Sequence, residues 1–129
     1  MMREEKIKFI KDAKSFVGAF PNLAKSQEIR GRMPQVGAAV CRALAYRLRY
    51  QGPSSLTPSV YETASGTALI DQRIFDVAQR AGENPMQLLR AISSRAQQMV
   101  STALKQSPEH ALYLLEYCVI MFELGQLEE

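Results

Sequence analysis

Gln35, Arg42, Tyr46 and Arg49 give this chain its best-defined surface chemistry. At about 100° per residue they fall in a narrow arc of a helix expected from Pro34 to about Tyr50, opposite a stripe of Val36, Val40, Leu44 and Leu48. Arg30 and Arg32 stand just before that helix, and Lys25 is near. Guanidinium groups match phosphate oxygens in fork geometry, and an interleaved tyrosine offers a flat surface on which a base can stack. The arc with its neighbours, Lys25, Arg30, Arg32, Gln35, Arg42, Tyr46 and Arg49, is therefore the candidate nucleic-acid-binding surface. The same residues also read as a solvated face that only keeps the protein soluble.

The charge of the chain supports a polyanionic partner. Residues 1–51 hold 11 Lys and Arg against 4 Asp and Glu, whereas residues 52–129 hold 5 against 9. The overall +3 thus conceals a basic first half and an acidic second half. A charge split of this kind also suits a helical adaptor or chaperone that grips an acidic protein.

Other chemistry finds little support. His110 is the only histidine, and no motif sets a nucleophile beside it. Cys41 and Cys118 lie 77 positions apart, with no metal-ligand spacing around either, and no glycine-rich phosphate loop occurs. No catalytic residue, cofactor or metal site is expected. The two cysteines fall in apolar helical segments and read as buried thiols of a reducing compartment. The N-terminus alternates Lys with apolar residues and lacks the core of a signal peptide, so a cytoplasmic location is expected. Glu116 and Glu123 interrupt the longest apolar run, which leaves no membrane span.

These side chains need helices to hold them. Phe9, Ile10, Ala13, Phe16, Val17 and Phe20 recur on one face of a basic amphipathic helix, which is expected to stop at Gly18 and Pro21. Pro34 is placed at the first position of the next helix, where its missing N–H costs nothing. Residues 52–68, rich in Ser, Thr, Gly and Pro, read as a long loop with at most one short turn from Thr57 to Ala64. One helix is then expected from Thr67 to Gly82, with Ile70, Ile74, Val77, Ala78 and Ala81 in register. Asn84–Pro85 and Ser107–Pro108 open two more. The last, residues 108–125, is apolar nearly all round apart from Glu109, Glu116 and Glu123. It is either the central core element or a contact for a second subunit or copy. No strand pattern occurs, so the expected fold is all-α, a compact bundle of five to six helices in one domain.

Within this plan residues 77–92, VAQRAGENPMQLLRAI, resemble the helix-turn-helix of AraC- and LacI-type regulators. Ala78 falls at the small position of the first helix, Ala81–Gly82 at its end and turn, and Leu88 and Ile92 where the second helix packs. The resemblance implies that Met86, Gln87 and Arg90 face the bases of a DNA duplex. Glu83 departs from the family, which carries an apolar residue there, and the second helix is long for a recognition helix. By themselves the residues read as an ordinary helical hairpin. In size and balance the chain is also similar to the small helical subunits of nucleoprotein assemblies, RNA-guided effector complexes among them. The leading expectation is such a non-catalytic subunit, binding phosphates with weak sequence preference and strong salt dependence.

Overall fold

A computed structural model describes residues 3–127. Among them are six α-helices, α1 (Arg3–Ala19), α2 (Gln27–Gln51), α3 (Pro58–Asp71), α4 (Ile74–Ala81), α5 (Pro85–Leu104) and α6 (Pro108–Leu127), and no strand. Short 3-10 turns, Phe20–Leu23 and Pro53–Ser55, precede α2 and α3. The all-α bundle expected from the pattern is the fold observed.

The core forms around α2 and α6, which run side by side and antiparallel: Gly37 meets Phe122, Arg42 meets Glu123 and Arg49 meets Glu116. The Gly37 contact sets their spacing, because a Cβ there would stand 2.4 Å from the tip of the Phe122 ring. That ring has no room to retreat. Phe16 and Phe20 pack against it with centroids at 6.1 and 5.3 Å, and all three are buried. The α6 residues Ala111, Leu114, Leu115, Cys118 and Phe122 are buried, whereas Tyr113, Ile120 and Leu124 are exposed along its outer side. The helix is thus a core element that keeps an uncovered apolar strip.

Three expected boundaries are corrected. First, Pro34 lies inside α2, whose N-cap is Ser26. A proline at this depth leaves the Arg30 carbonyl without its usual donor and costs about 3 kcal/mol in an isolated helix. Complete burial of Ile29 and Met33, two turns and one turn before Val36 and Gly37, offsets that cost. Arg30 and Arg32 accordingly belong to α2 rather than to the segment before it.

Second, residues 52–68 are not a long loop. Gly52, with φ of 85°, ends α2, and after the Pro53–Ser55 turn the chain enters α3 at Pro58 with Thr57 as its N-cap. The buried residues of α3 are Tyr61, Ser65, Ala68 and Leu69, which follow helical spacing. Small and hydroxylated residues obscure that stripe in the sequence. The buried Ser65 hydroxyl satisfies itself by donating to the Tyr61 carbonyl at 2.7 Å.

Third, the single helix expected over residues 67–82 is broken between Asp71 and Ile74. Arg73 adopts a left-handed conformation, φ 57° and ψ 33°, and the chain restarts as α4. Ile74, Val77 and Ala78 reach the core as expected, but Ile70 and Ala81 are exposed. The remaining helix starts follow the sequence signals. Asn84 accepts from the N–H groups of Met86 and Gln87 at 2.9 and 3.3 Å, and Ser107 Oγ accepts from that of His110 at 2.9 Å.

Candidate nucleic-acid interface

The outward face of α2 carries the predicted arc. Gln35, Arg42, Tyr46 and Arg49 are all exposed, as an arc opposite the buried Val36, Val40, Leu44 and Leu48 must be. Tyr50 joins them one turn beyond Tyr46. The two rings lie 4.8 Å apart, tilted by 50°, and each remains about two-thirds exposed (64% and 66%). Aromatic residues usually bury such area, so two neighbouring rings left in water offer exposed faces to another flat group.

The arginines of the arc have partners that were not anticipated. Arg42 pairs with Glu123 and Arg49 with Glu116, so the arc meets the acidic stripe of α6 two helical turns apart on each side. The charge split between the halves of the chain is therefore partly closed within the fold. All four side chains remain between about a third and three-fifths exposed, and pairs of that kind contribute at most about 1 kcal/mol each. They can exchange a carboxylate for a phosphate at little cost. The sequence held the signal for both pairs in the seven-residue spacing that Arg42–Arg49 and Glu116–Glu123 share.

The other candidates separate into anchored and free groups. Arg30 is committed, since its Nε donates to the Ala24 carbonyl at 2.8 Å. Arg32 donates through Nη1 to the Gln72 carbonyl at 3.0 Å, which ties α2 to the end of α3. Lys25 is exposed, but its backbone N–H, like that of Ser26, donates to the Glu83 carboxylate, at 2.7 and 3.0 Å. Glu83 was the residue at odds with the helix-turn-helix pattern, and here it fixes the chain entering α2. Gly82 turns the chain at φ 73°, and Met86, Gln87 and Arg90 are exposed on the first turns of α5. Gln87 lines a shallow pocket together with Lys25.

Sequence reasoning missed two arginines. Arg73 and Arg80 line a cleft of about 250 Å³ with Arg32, Asp76 and Val77, at the N-terminal end of α2. Only the left-handed break before α4 brings them there, and nothing in the periodicity announced it. A neighbouring cavity holds Gln35 and Arg42 together with Gln72, whose carbonyl Arg32 binds. The basic and amide groups thus continue from the cleft onto the outward face of α2.

His110 stands edge-on to Phe9 at 5.5 Å and hydrogen-bonds Ser107 only through its backbone. Cys41 and Cys118 are buried free thiols at the α2–α6 contact, where the neighbouring Cys118 and burial push the Cys41 thiol well above its ordinary range. Burial and the raised thiol disfavour Cys41 as a nucleophile. Among the described residues there is no group of three or more His, Cys, Asp or Glu able to hold a metal ion, and no helix is long and apolar enough to cross a membrane. Compared with known proteins, the chain matches no family model, no curated protein and no solved structure.

Proposed function

We propose that this protein is a non-catalytic, nucleic-acid-binding helical subunit of a larger nucleoprotein assembly, and that it holds a phosphate backbone along the outward face of α2. The observation that carries this reading is the adjacent, solvent-exposed Tyr46–Tyr50 pair on the helix face that also carries Arg42, Arg49 and Gln35. Phosphates would displace Glu116 and Glu123 from the two arginines while a base stacks on the tyrosines. Binding of this type depends steeply on salt and weakly on sequence. The exposed α6 strip of Tyr113, Ile120 and Leu124 would supply the contact to a neighbouring subunit.

The test is fluorescence anisotropy with labelled single- and double-stranded RNA and DNA across a salt series. Arg42→Glu with Arg49→Glu is expected to weaken binding about a hundredfold while the helical circular dichroism is retained. Tyr46→Ala leaves both ion pairs in place and is expected to weaken single-strand binding about tenfold. Unchanged affinity in both variants refutes the reading.

A second reading, a helical protein–protein adaptor, is favoured by the exposed apolar strip of Tyr113, Ile120 and Leu124 on α6. It predicts a stable protein complex that survives nuclease treatment and is lost when Ile120 and Leu124 are replaced by Ser.

A further inference from the structure

Arg32, Arg73 and Arg80 line the cleft between α2 and α4, with Asp76 the one carboxylate among its lining residues. Arg32 Nη2 and Arg80 Nη2 share one oxygen, Glu28 Oε1, at 3.8 and 3.7 Å. Both distances exceed that of a good charge-assisted hydrogen bond, so neither guanidinium is saturated. Arg73 makes no ion pair or side-chain hydrogen bond among the described residues. Asp76 also lines the cleft, where the first turn of α4 favours an acid for its own sake. Three cations therefore face two carboxylates, one of them stretched between two arginines.

Arg73 sharpens the point. It is the only non-glycine residue with positive φ among the described residues. A long side chain pays for that conformation where glycine would not, so the break before α4 needs a small residue more than an arginine. The cleft measures about 250 Å³, several times the ~30 Å³ share of one water molecule, and so admits a phosphate group with part of its hydration. Arg32 is held by its bond to the Gln72 carbonyl and forms one wall, whereas the Arg80 side chain is largely exposed.

We propose that this cleft is a phosphate-binding site, in which Arg73 and Arg80 hold the oxyanion against the wall formed by Arg32. The phosphate belongs either to a nucleic-acid strand continuing from the face of α2, which rests on the function proposed above, or to a free phosphate compound. The recognising chemistry is the same in both.

The experiment compares the parent protein, Arg73→Gly, and Arg42→Glu with Arg49→Glu. Each is titrated with inorganic pyrophosphate, followed by amide NMR shifts at Gln72–Ile74, and with a single-stranded oligonucleotide, followed by anisotropy. Arg73→Gly relieves the backbone and so keeps or raises the melting temperature. It is expected to weaken pyrophosphate binding about tenfold and to lower the salt slope for the strand by about one. The Arg42→Glu, Arg49→Glu variant is expected to lose the strand and keep pyrophosphate. If pyrophosphate leaves the Gln72–Ile74 amides unmoved, or binds Arg73→Gly as well as the parent, the cleft proposal falls even where strand binding persists. If the parent binds pyrophosphate through Arg73 but no strand, the cleft stands as a site for a free phosphate compound and the function proposed above falls instead.

Discussion

Two regions of α2 use the same side chain to different ends. Along its C-terminal half, Arg42 and Arg49 each meet one carboxylate of α6, in register with the packing of Gly37 against Phe122. At its N-terminal end, Arg32 shares a single oxygen of Glu28 with Arg80, and Arg73 stands alone beside them. The first region is a seam between helices, neutralised pair by pair. The second is a cleft with cations to spare. The difference shows why counting charges along a chain is a poor guide to a binding surface: what matters is which arginines the fold leaves without a carboxylate.

The harshest way to break the comparison is to force the seam apart. Gly37→Ala places a methyl group within the Phe122 ring, which Phe16 and Phe20 hold from the other side. The expected cost is about 1–3 kcal/mol, the range for overpacking a filled core. Urea unfolding measures it as a lower midpoint at unchanged slope. If the cleft binds phosphate as proposed, that binding should survive wherever the protein stays folded, because neither Gly37 nor Phe122 lines the cleft. A variant as stable as the parent would mean that α2 and α6 part without strain, and the seam would not be the rigid member of the pair.

A gentler change makes the seam resemble the cleft. Glu116→Gln with Glu123→Gln removes the two carboxylates and leaves Arg42 and Arg49 uncompensated. Stability should change by less than about 1 kcal/mol, since both pairs are half in water. If α2 binds a phosphate backbone, affinity for single strands should rise about tenfold and the salt slope should steepen, because each arginine no longer gives up a partner. A drop in affinity would mean that the carboxylates hold the arginines in the geometry a strand needs, and unchanged affinity that the seam takes no part in binding.

How much of this was legible in the sequence depended on the kind of signal involved. The all-α fold, the helix starts at Pro85 and Pro108, and the arc of Gln35, Arg42, Tyr46 and Arg49 followed from local periodicity and capping residues, which act over one or two turns. The errors came where distant residues overrule local preference. Pro34 sits within a helix because Ile29 and Met33 are buried by other elements, and α3 forms on a stripe that includes a serine. The cleft was hidden for a further reason. It depends on one left-handed residue, Arg73, of a type that gives no hint of a break, and on Arg80, which is 48 positions from Arg32 in the chain. The pairing of the arc with Glu116 and Glu123 was readable only by comparing two matching spacings across the whole chain.

The smallest expected effect concerns the buried side of the seam and tests how tightly it is closed. The neighbouring Cys118 and burial raise the Cys41 thiol, and burial raises the Tyr61 phenol. Both groups keep their protons in the folded protein at pH values where the unfolded chain releases them. The unfolded state then binds fewer protons, so stability falls as pH rises. The contribution is intact below the ordinary thiol range of about pH 8.5 and is lost as pH climbs above it, first through Cys41 and then through Tyr61. Urea midpoints measured from neutral to alkaline pH should therefore decline, and Cys41→Ala should remove the part of the decline nearest the thiol range. Iodoacetamide offers an independent check. Cys41 should react only as fast as the protein unfolds, because the thiol is both protonated and enclosed between α2 and α6. Alkylation of the folded protein at the rate of a free thiol would show that the seam opens readily, and the contrast between a closed seam and an open cleft would lose its basis.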